Sequence, residues 1–182
     1  GLGGGSMNAA TILNYLIKKN FIKIAQKQIL QITKLIGSDV ILGINPSSLI
    51  LSSNGVVKQF IKTPRFNILL VRPNFGCSTK KIYSAVRKFS KPVLNNPKKN
   101  MMNLKYLLKY ENDLEIIAFS KYQKLKIIKS FLEDLNQPLF VRMTGSGSVM
   151  VAYYQKKQDC ELAKVRFKRK FKNYWCNTSK TI

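Results

Sequence analysis

The chain has 182 residues, 45% of them hydrophobic, and 32 Lys and Arg against 8 Asp and Glu give it a formal net charge of +24. That is enough apolar material for a packed core, in one domain or a domain plus part of another, so a disordered tail is excluded. Histidine is absent, which removes Ser-His-Asp and Cys-His nucleophile schemes and most zinc hydrolases and leaves a carboxylate or a lysine as any general base.

Residues 1–6 read as a glycine-rich loop that opens a helix over residues 8–18, where Ala9, Ile12, Leu13 and Leu16 recur at helical spacing. A second helix is expected over 22–35, with Ile24, Ala25, Gln28, Ile29 and Ile32 on one face and Gly37 as its stop. From 40 to 60 the text turns to β-branched and aliphatic residues broken by "NPSS" and "SNG", which predicts short strands. Residues 1 to about 60 are therefore expected to expose apolar helix surface, because an amphipathic helix needs a partner layer.

"TPRFNILLVRP" reads as a linker and then a strand over 66–72. A helix over 79–88, a Pro-, Asn- and Lys-rich loop over 90–100, and helices over 113–118 and 122–135 follow. Next come a strand over 139–143, a tight "TGSGS" turn, a strand over 149–154, a basic helix over 159–171 and a last strand over 174–179. With the helical middle taken as one layer, the order is β-α-β-β-α-β, a ferredoxin-like split-βαβ arrangement able to fold by itself. The longest apolar runs, such as 67–71, are too short to span a bilayer.

Three cysteines, Cys77, Cys160 and Cys176, are far apart and odd in number, which fits free thiols in a reducing cytoplasm rather than a disulfide or zinc framework. The high charge admits two readings, a polyanion-binding surface or the Lys, Ile and Asn bias of an AT-rich genome. Lysine is spread along the whole chain, which favours the bias. The densest cluster, Lys164, Arg166, Lys168, Arg169, Lys170 and Lys172, is interleaved with Val165, Phe167 and Phe171 and also fits a solvated helix face.

Two loops could hold an anion. Gly1-Leu2-Gly3-Gly4-Gly5-Ser6 leads into a helix N-terminus, where free N–H groups and the helix dipole favour negative charge. It is not a Walker A loop, since no Gly-Lys-Ser/Thr follows, and flexible linkers share its composition. Thr144-Gly145-Ser146-Gly147-Ser148 joins two strands, and a plain hairpin turn would also use these residues. Asp39, in "LIGSDVILG", is the sole carboxylate before Glu111. On residue type alone it is a helix or turn cap. Two glycine-serine loops beside one isolated Asp point to phosphoryl transfer, with the Asp orienting or deprotonating the accepting hydroxyl.

"GLGGGSMNAA" resembles the second conserved motif of the GHMP kinases. Within that superfamily, "GLGGGS-x-NAA", "IGSDV", "VRPNFGCSTKKIYSAV", "NDLE" and "RMTGSGSVMVAYY" together resemble the 4-diphosphocytidyl-2-C-methyl-D-erythritol kinase family, in its order and near its spacing from residue 1 to the C-terminus. The resemblance implies an α+β GHMP kinase fold. Residues 1–62 would be part of a ribosomal protein S5 domain 2-like ATP-binding domain, and 63–182 a ferredoxin-like split-βαβ domain. It implies that a further stretch precedes residue 1, with an early lysine and the strand leading into the loop.

The implied activity is ATP- and Mg²⁺-dependent phosphorylation of the 2-hydroxyl of 4-diphosphocytidyl-2-C-methyl-D-erythritol in non-mevalonate isoprenoid biosynthesis. The implied setting is the cytoplasm, as a monomer or homodimer, with small-molecule partners and neither membrane nor nucleic acid. Gly1, Leu2, Gly3, Gly4, Gly5, Ser6 and Asn8 would wrap the ATP phosphates, joined by Gly145, Ser146 and Gly147. Asp39 would take the proton of the substrate hydroxyl, and Tyr83 would lie near the cytosine ring, although a Tyr on an apolar helix face also fits a core. No protein metal ligand is implied. Met7 stands where the family usually has a second serine, Ile41 where it has a proline, and Leu42 and Gly43 where it has an aromatic pair. Another GHMP kinase, a catalytically dead remnant and a basic nucleic-acid-binding module are the alternatives.

Overall fold

The computed structural model describes residues 2–52, 56–60, 63–94, 96, 98 and 101–182. Gly1, the Ser53-Asn54-Gly55 turn signal, Lys62 at the expected domain boundary, and Asn95, Pro97, Lys99 and Asn100 of the expected loop lie outside the described residues. The chain divides into two compact units, one of Gly3–Thr63 with Pro92–Met102 and Ile182, the other of Gly1–Leu2, Pro64–Lys91 and Asn103–Thr181.

In the first unit, helix α1 (Gly4–Lys18) begins inside the glycine run, four residues before the expected start. Its inward face is Ala10 and Leu13, while Ile12 points to solvent. Helix α2 (Gln26–Ile36) begins four residues later than its apolar periodicity suggests, because the Gln28 side-chain oxygen accepts the Ala25 N–H at 2.7 Å and fixes the first turn there. The stretch read as strand is instead a short helix, α3 (Val40–Ile44). Packing on α1 overrides the β-branched composition. An added Cβ on Gly43 would lie 2.7 Å from the Ala10 Cβ, and the Asn14 side-chain amide donates to the Ile44 carbonyl at 2.9 Å. Strands β1 (Ser48–Leu51) and β2 (Val57–Phe60) form the expected short strands as an antiparallel hairpin, with Ser48 opposite Phe60 and Leu51 opposite Val57. Apolar helix surface is exposed here as expected, Leu35 most of all at 88%, with Ile12, Tyr15 and Ile36.

The second unit carries a four-stranded antiparallel sheet in the order β4-β5-β3-β6. Its strands are β3 (Asn67–Arg72), β4 (Phe140–Met143), β5 (Met150–Tyr154) and β6 (Trp175–Lys180). That neighbour order is the split-βαβ arrangement, with the first strand between the third and the fourth. Alternation along the strands turns Leu69 and Val71, Val141 and Met143, and Met150, Ala152 and Tyr154 into the core. Facing them are helices α6 (Asp113–Lys121), α7 (Gln123–Glu133) and α8 (Lys157–Lys170), which contribute Leu114 and Ala118, Leu125, Ile128 and Leu132, and Cys160, Ala163 and Phe167. Helix α4 (Thr79–Tyr83) is five residues shorter than expected, and a one-turn helix α5 (Leu104–Leu107) follows.

The basic helix α8 is a solvated face. Arg166, Lys168, Arg169 and Lys170 are exposed, whereas Phe167 is buried and Phe171 stacks on Phe167 and Tyr174 with ring centroids 4.8 and 5.3 Å apart. The interleaved aromatics are core and are not available as a base-stacking platform. The three cysteines are free, and burial pushes the Cys160 thiol up to about 11. Among the described residues no helix is long and apolar enough to cross a membrane.

Candidate functional site

Gly3 is the N-cap of α1 and sits in the left-handed region at φ 64°, ψ 26°, a conformation that glycine adopts without strain. Its carbonyl accepts the Met7 N–H at 2.9 Å and closes the first turn. An added Cβ on Gly3, Gly4 or Gly5 would meet nothing within 4 Å. The left-handed Gly3 calls for glycine by its backbone, whereas packing among the described residues demands none at 4 and 5, where open backbone is the geometry an approaching anion would use. No side chain caps this helix end, and no acidic residue lies in its first turn, so the dipole's positive end is not neutralised there. Leu2 and Asn8 are exposed beside it.

Asp39 occupies the N-cap position of α3 but caps nothing, since its side chain makes no cap hydrogen bond. The exposed carboxylate accepts instead from the Ser38 hydroxyl at 3.1 Å. The capping role that residue type suggested is not the one this side chain plays. Helices α1 and α3 pack together through the Gly43–Ala10 approach and the Asn14–Ile44 bond. The structure thus brings Gly3 to Ser6 of the glycine loop and Asp39 into one unit, on helices in direct contact.

The second glycine loop, Thr144 to Ser148, belongs to the other unit. Gly145 (φ 51°) and Gly147 (φ 87°) are both left-handed. The Thr144 N–H bonds the Val149 carbonyl, and the Gly147 N–H bonds the Thr144 carbonyl, each at 2.9 Å. Space around Gly145 is open, whereas a Cβ on Gly147 would come within 2.9 Å of the Met143 sulfur and 3.2 Å of the Cys77 sulfur. Burial pushes the Cys77 thiol up, so it is not an activated nucleophile.

Two segments hold this turn that sequence reasoning left without a role. From the "RPNFGCST" segment, Phe75 accepts from the Ser148 hydroxyl at 2.8 Å, and the Thr79 and Ser146 hydroxyls share a bond at 2.9 Å. From "NDLE", the Asn112 amide donates to the carbonyls of Met143 (3.0 Å) and Gly145 (2.8 Å), while its oxygen accepts the Leu114 N–H at 3.0 Å and caps α6. Glu115, buried, accepts the Met143 N–H at 2.8 Å and pairs with Lys129. The signal was present as a capping-box spacing of Asn112 and Glu115, but Glu115 turns to the strand and not back to the cap. Tyr83 closes α4, 52% exposed, so it is not a core tyrosine.

No protein-family model matches the chain. It is 55% identical over all 182 residues to a 4-diphosphocytidyl-2-C-methyl-D-erythritol kinase of Pelagibacter ubique, and spans 65% of that protein's length. Among solved structures it resembles a 4-(cytidine 5'-diphospho)-2C-methyl-D-erythritol kinase with a TM-score of 0.76 at 21% identity, over 99% of this chain and 66% of that one. It also resembles the L. major mevalonate kinase in complex with R-mevalonate, with a TM-score of 0.66 at 14% identity, over 98% of this chain and 65% of that one.

Proposed function

From the premise that this chain belongs to the 4-diphosphocytidyl-2-C-methyl-D-erythritol kinase family, we propose that it carries the phosphate-binding and proton-accepting parts of a kinase using ATP. The acceptor is the 2-hydroxyl of 4-diphosphocytidyl-2-C-methyl-D-erythritol. The carrying observation is the open glycine start of α1, where uncapped N–H groups, a left-handed Gly3 and empty space at three Cβ positions suit a polyphosphate.

In this reading Gly1 to Ser6 and Asn8 hold the nucleotide phosphates, and Gly145, Ser146 and Gly147 form a second phosphate loop in which the Ser146 N–H is, among the described residues, a free backbone donor. Asp39 accepts the hydroxyl proton as that oxygen attacks the γ-phosphorus, the bond from the γ-phosphorus to the β–γ bridging oxygen breaks, and ADP leaves. Asp39 suits the role because it is exposed and committed to no helix cap. Tyr83 offers an exposed ring to the cytosine base.

Mg²⁺ would supply charge neutralisation on the phosphates. The three unpaired thiols support a cytoplasmic setting.

The test is calorimetric titration of the chain with ATP and Mg²⁺, repeated with Gly4→Asp, which places a carboxylate in the first turn of α1. Binding to the parent that is lost in the variant is expected. Equal binding by both, or by neither, would refute the assignment of the loop.

A further inference from the structure

We propose that Asn112 is a positioning residue that holds the turn at 144–148 in its anion-presenting form, an inference that rests on the phosphate-binding reading of that turn. The argument starts from the planar trans peptide, in which the C=O of one residue and the N–H of the next point in opposite directions. One Asn112 amide hydrogen pins the Gly145 carbonyl at 2.8 Å. The Ser146 N–H on the far side of that peptide is thereby turned away from Asn112. The other amide hydrogen pins the Met143 carbonyl at 3.0 Å, and Glu115 takes the Met143 N–H at 2.8 Å, so the strand end feeding the turn is fixed through both of its backbone groups.

The turn needs such a brace. Two left-handed glycines within three residues give it conformational freedom that its two backbone hydrogen bonds only partly remove. Asn suits the position for a specific reason. Its oxygen caps α6 through the Leu114 N–H while its nitrogen holds the turn, so one side chain ties a helix start to the loop. Asp or Ser at 112 would cap the helix as well, but neither has two N–H donors to give.

That difference supplies the test. Asn112→Ser is neutral and Asn112→Asp is isosteric. Both keep a capping oxygen, and both lose the paired donors. Amide exchange is followed in the 182-residue chain without nucleotide, and kinetics in a full-length kinase that carries this chain in place of the matching 65% of the Pelagibacter ubique relative.

Positioning predicts that both variants speed exchange at Thr144 and Gly147, the hydrogen-bonded amides of the turn, and raise KM for ATP. The expected rise is roughly 5- to 30-fold, as for the loss of two hydrogen bonds worth about 1 kcal/mol each. KM for the cytidyl substrate, and exchange within α6, should stay unchanged. Unaltered turn exchange together with unaltered KM for ATP would overturn the proposal and leave Asn112 a helix cap. A parent kinase that binds no ATP would refute the phosphate-binding reading instead, and faster exchange at Thr144 and Gly147 would then still decide that Asn112 holds the turn.

Discussion

Replacing Asp39 by Asn and by Ala, side by side in the grafted full-length kinase, separates a catalytic from a structural carboxylate. The structure sets the stability side of the expectation. Asp39 makes no side-chain cap bond to α3, is exposed, and contacts the hydroxyl of its neighbour Ser38. Removing it exposes no cavity and strands no buried donor, so each variant should stay within about 0.5 kcal/mol of the parent, the usual range for surface changes. For a chain of this size that is a melting shift of roughly 2 °C or less. The kinetic side follows from the loss of a proton acceptor, typically worth about 10²- to 10⁴-fold in rate, or roughly 2.7 to 5.4 kcal/mol of barrier. The fall should appear in kcat, with KM for ATP little changed, because Asn keeps the shape of the site and loses only charge and basicity. The assay is steady-state phosphorylation by coupled ADP release, with melting curves recorded on the same preparations. Near-normal turnover of the Asn variant would remove Asp39 as the base, and a melting loss of several degrees confined to Ala would restore the capping role.

Gly43→Ala should lower the melting temperature by several degrees, since its methyl would sit 2.7 Å from the Ala10 Cβ and overpacking costs about 1 to 3 kcal/mol, read by calorimetry. Tyr83→Ala should leave stability unchanged, because the ring is 52% exposed, and should raise KM for the cytidyl substrate several-fold without moving KM for ATP, measured by initial rates. The buried Cys160 thiol, pushed up to about 11, is neutral in the folded chain and ionises more easily in the unfolded one. Its contribution is therefore complete below the ordinary thiol pKa of about 8.5 and is lost as the pH climbs towards 11. Melting curves across that window should fall less steeply for Cys160→Ala than for the parent.

The split-βαβ order was legible because its strands alternate cleanly and are bounded by Gly, Pro and Asn, so Leu69 and Val71 or Met150 and Ala152 declare an inward face without help from tertiary structure. The first helix start was misplaced at Asn8 because Gly4 and Gly5 carry a propensity cost of about 1 kcal/mol each, a penalty that a left-handed Gly3 cap overrides. Residues 40–44 read as strand because Val-Ile-Leu-Gly-Ile has strand composition. The contact that makes it helix is with Ala10, thirty-three positions away from Gly43, and leaves no local trace. "NDLE" and "RPNFGCST" stood out as motifs without a role for a similar reason: Asn112, Phe75 and Thr79 act on a turn at 144–148 that lies far along the chain.

Met7 and Gly43 are two separate departures from the family pattern when written in a line, yet a Cβ on Gly43 would lie 3.0 Å from the Met7 sulfur and 3.1 Å from its terminal methyl. In space they are a single event: the long thioether lies over the backbone from which a side chain is missing. Substitutions at positions in such contact are not additive in stability. An aromatic at 43 collides with Ala10 as well as with Met7, and serine at 7 alone removes the thioether that covers Gly43. Exchanging Met7 for serine as well relieves only the Met7 part of that collision, and the 2.7 Å approach to the Ala10 Cβ remains. A side chain at 43 therefore calls for changes in α1 at both 7 and 10.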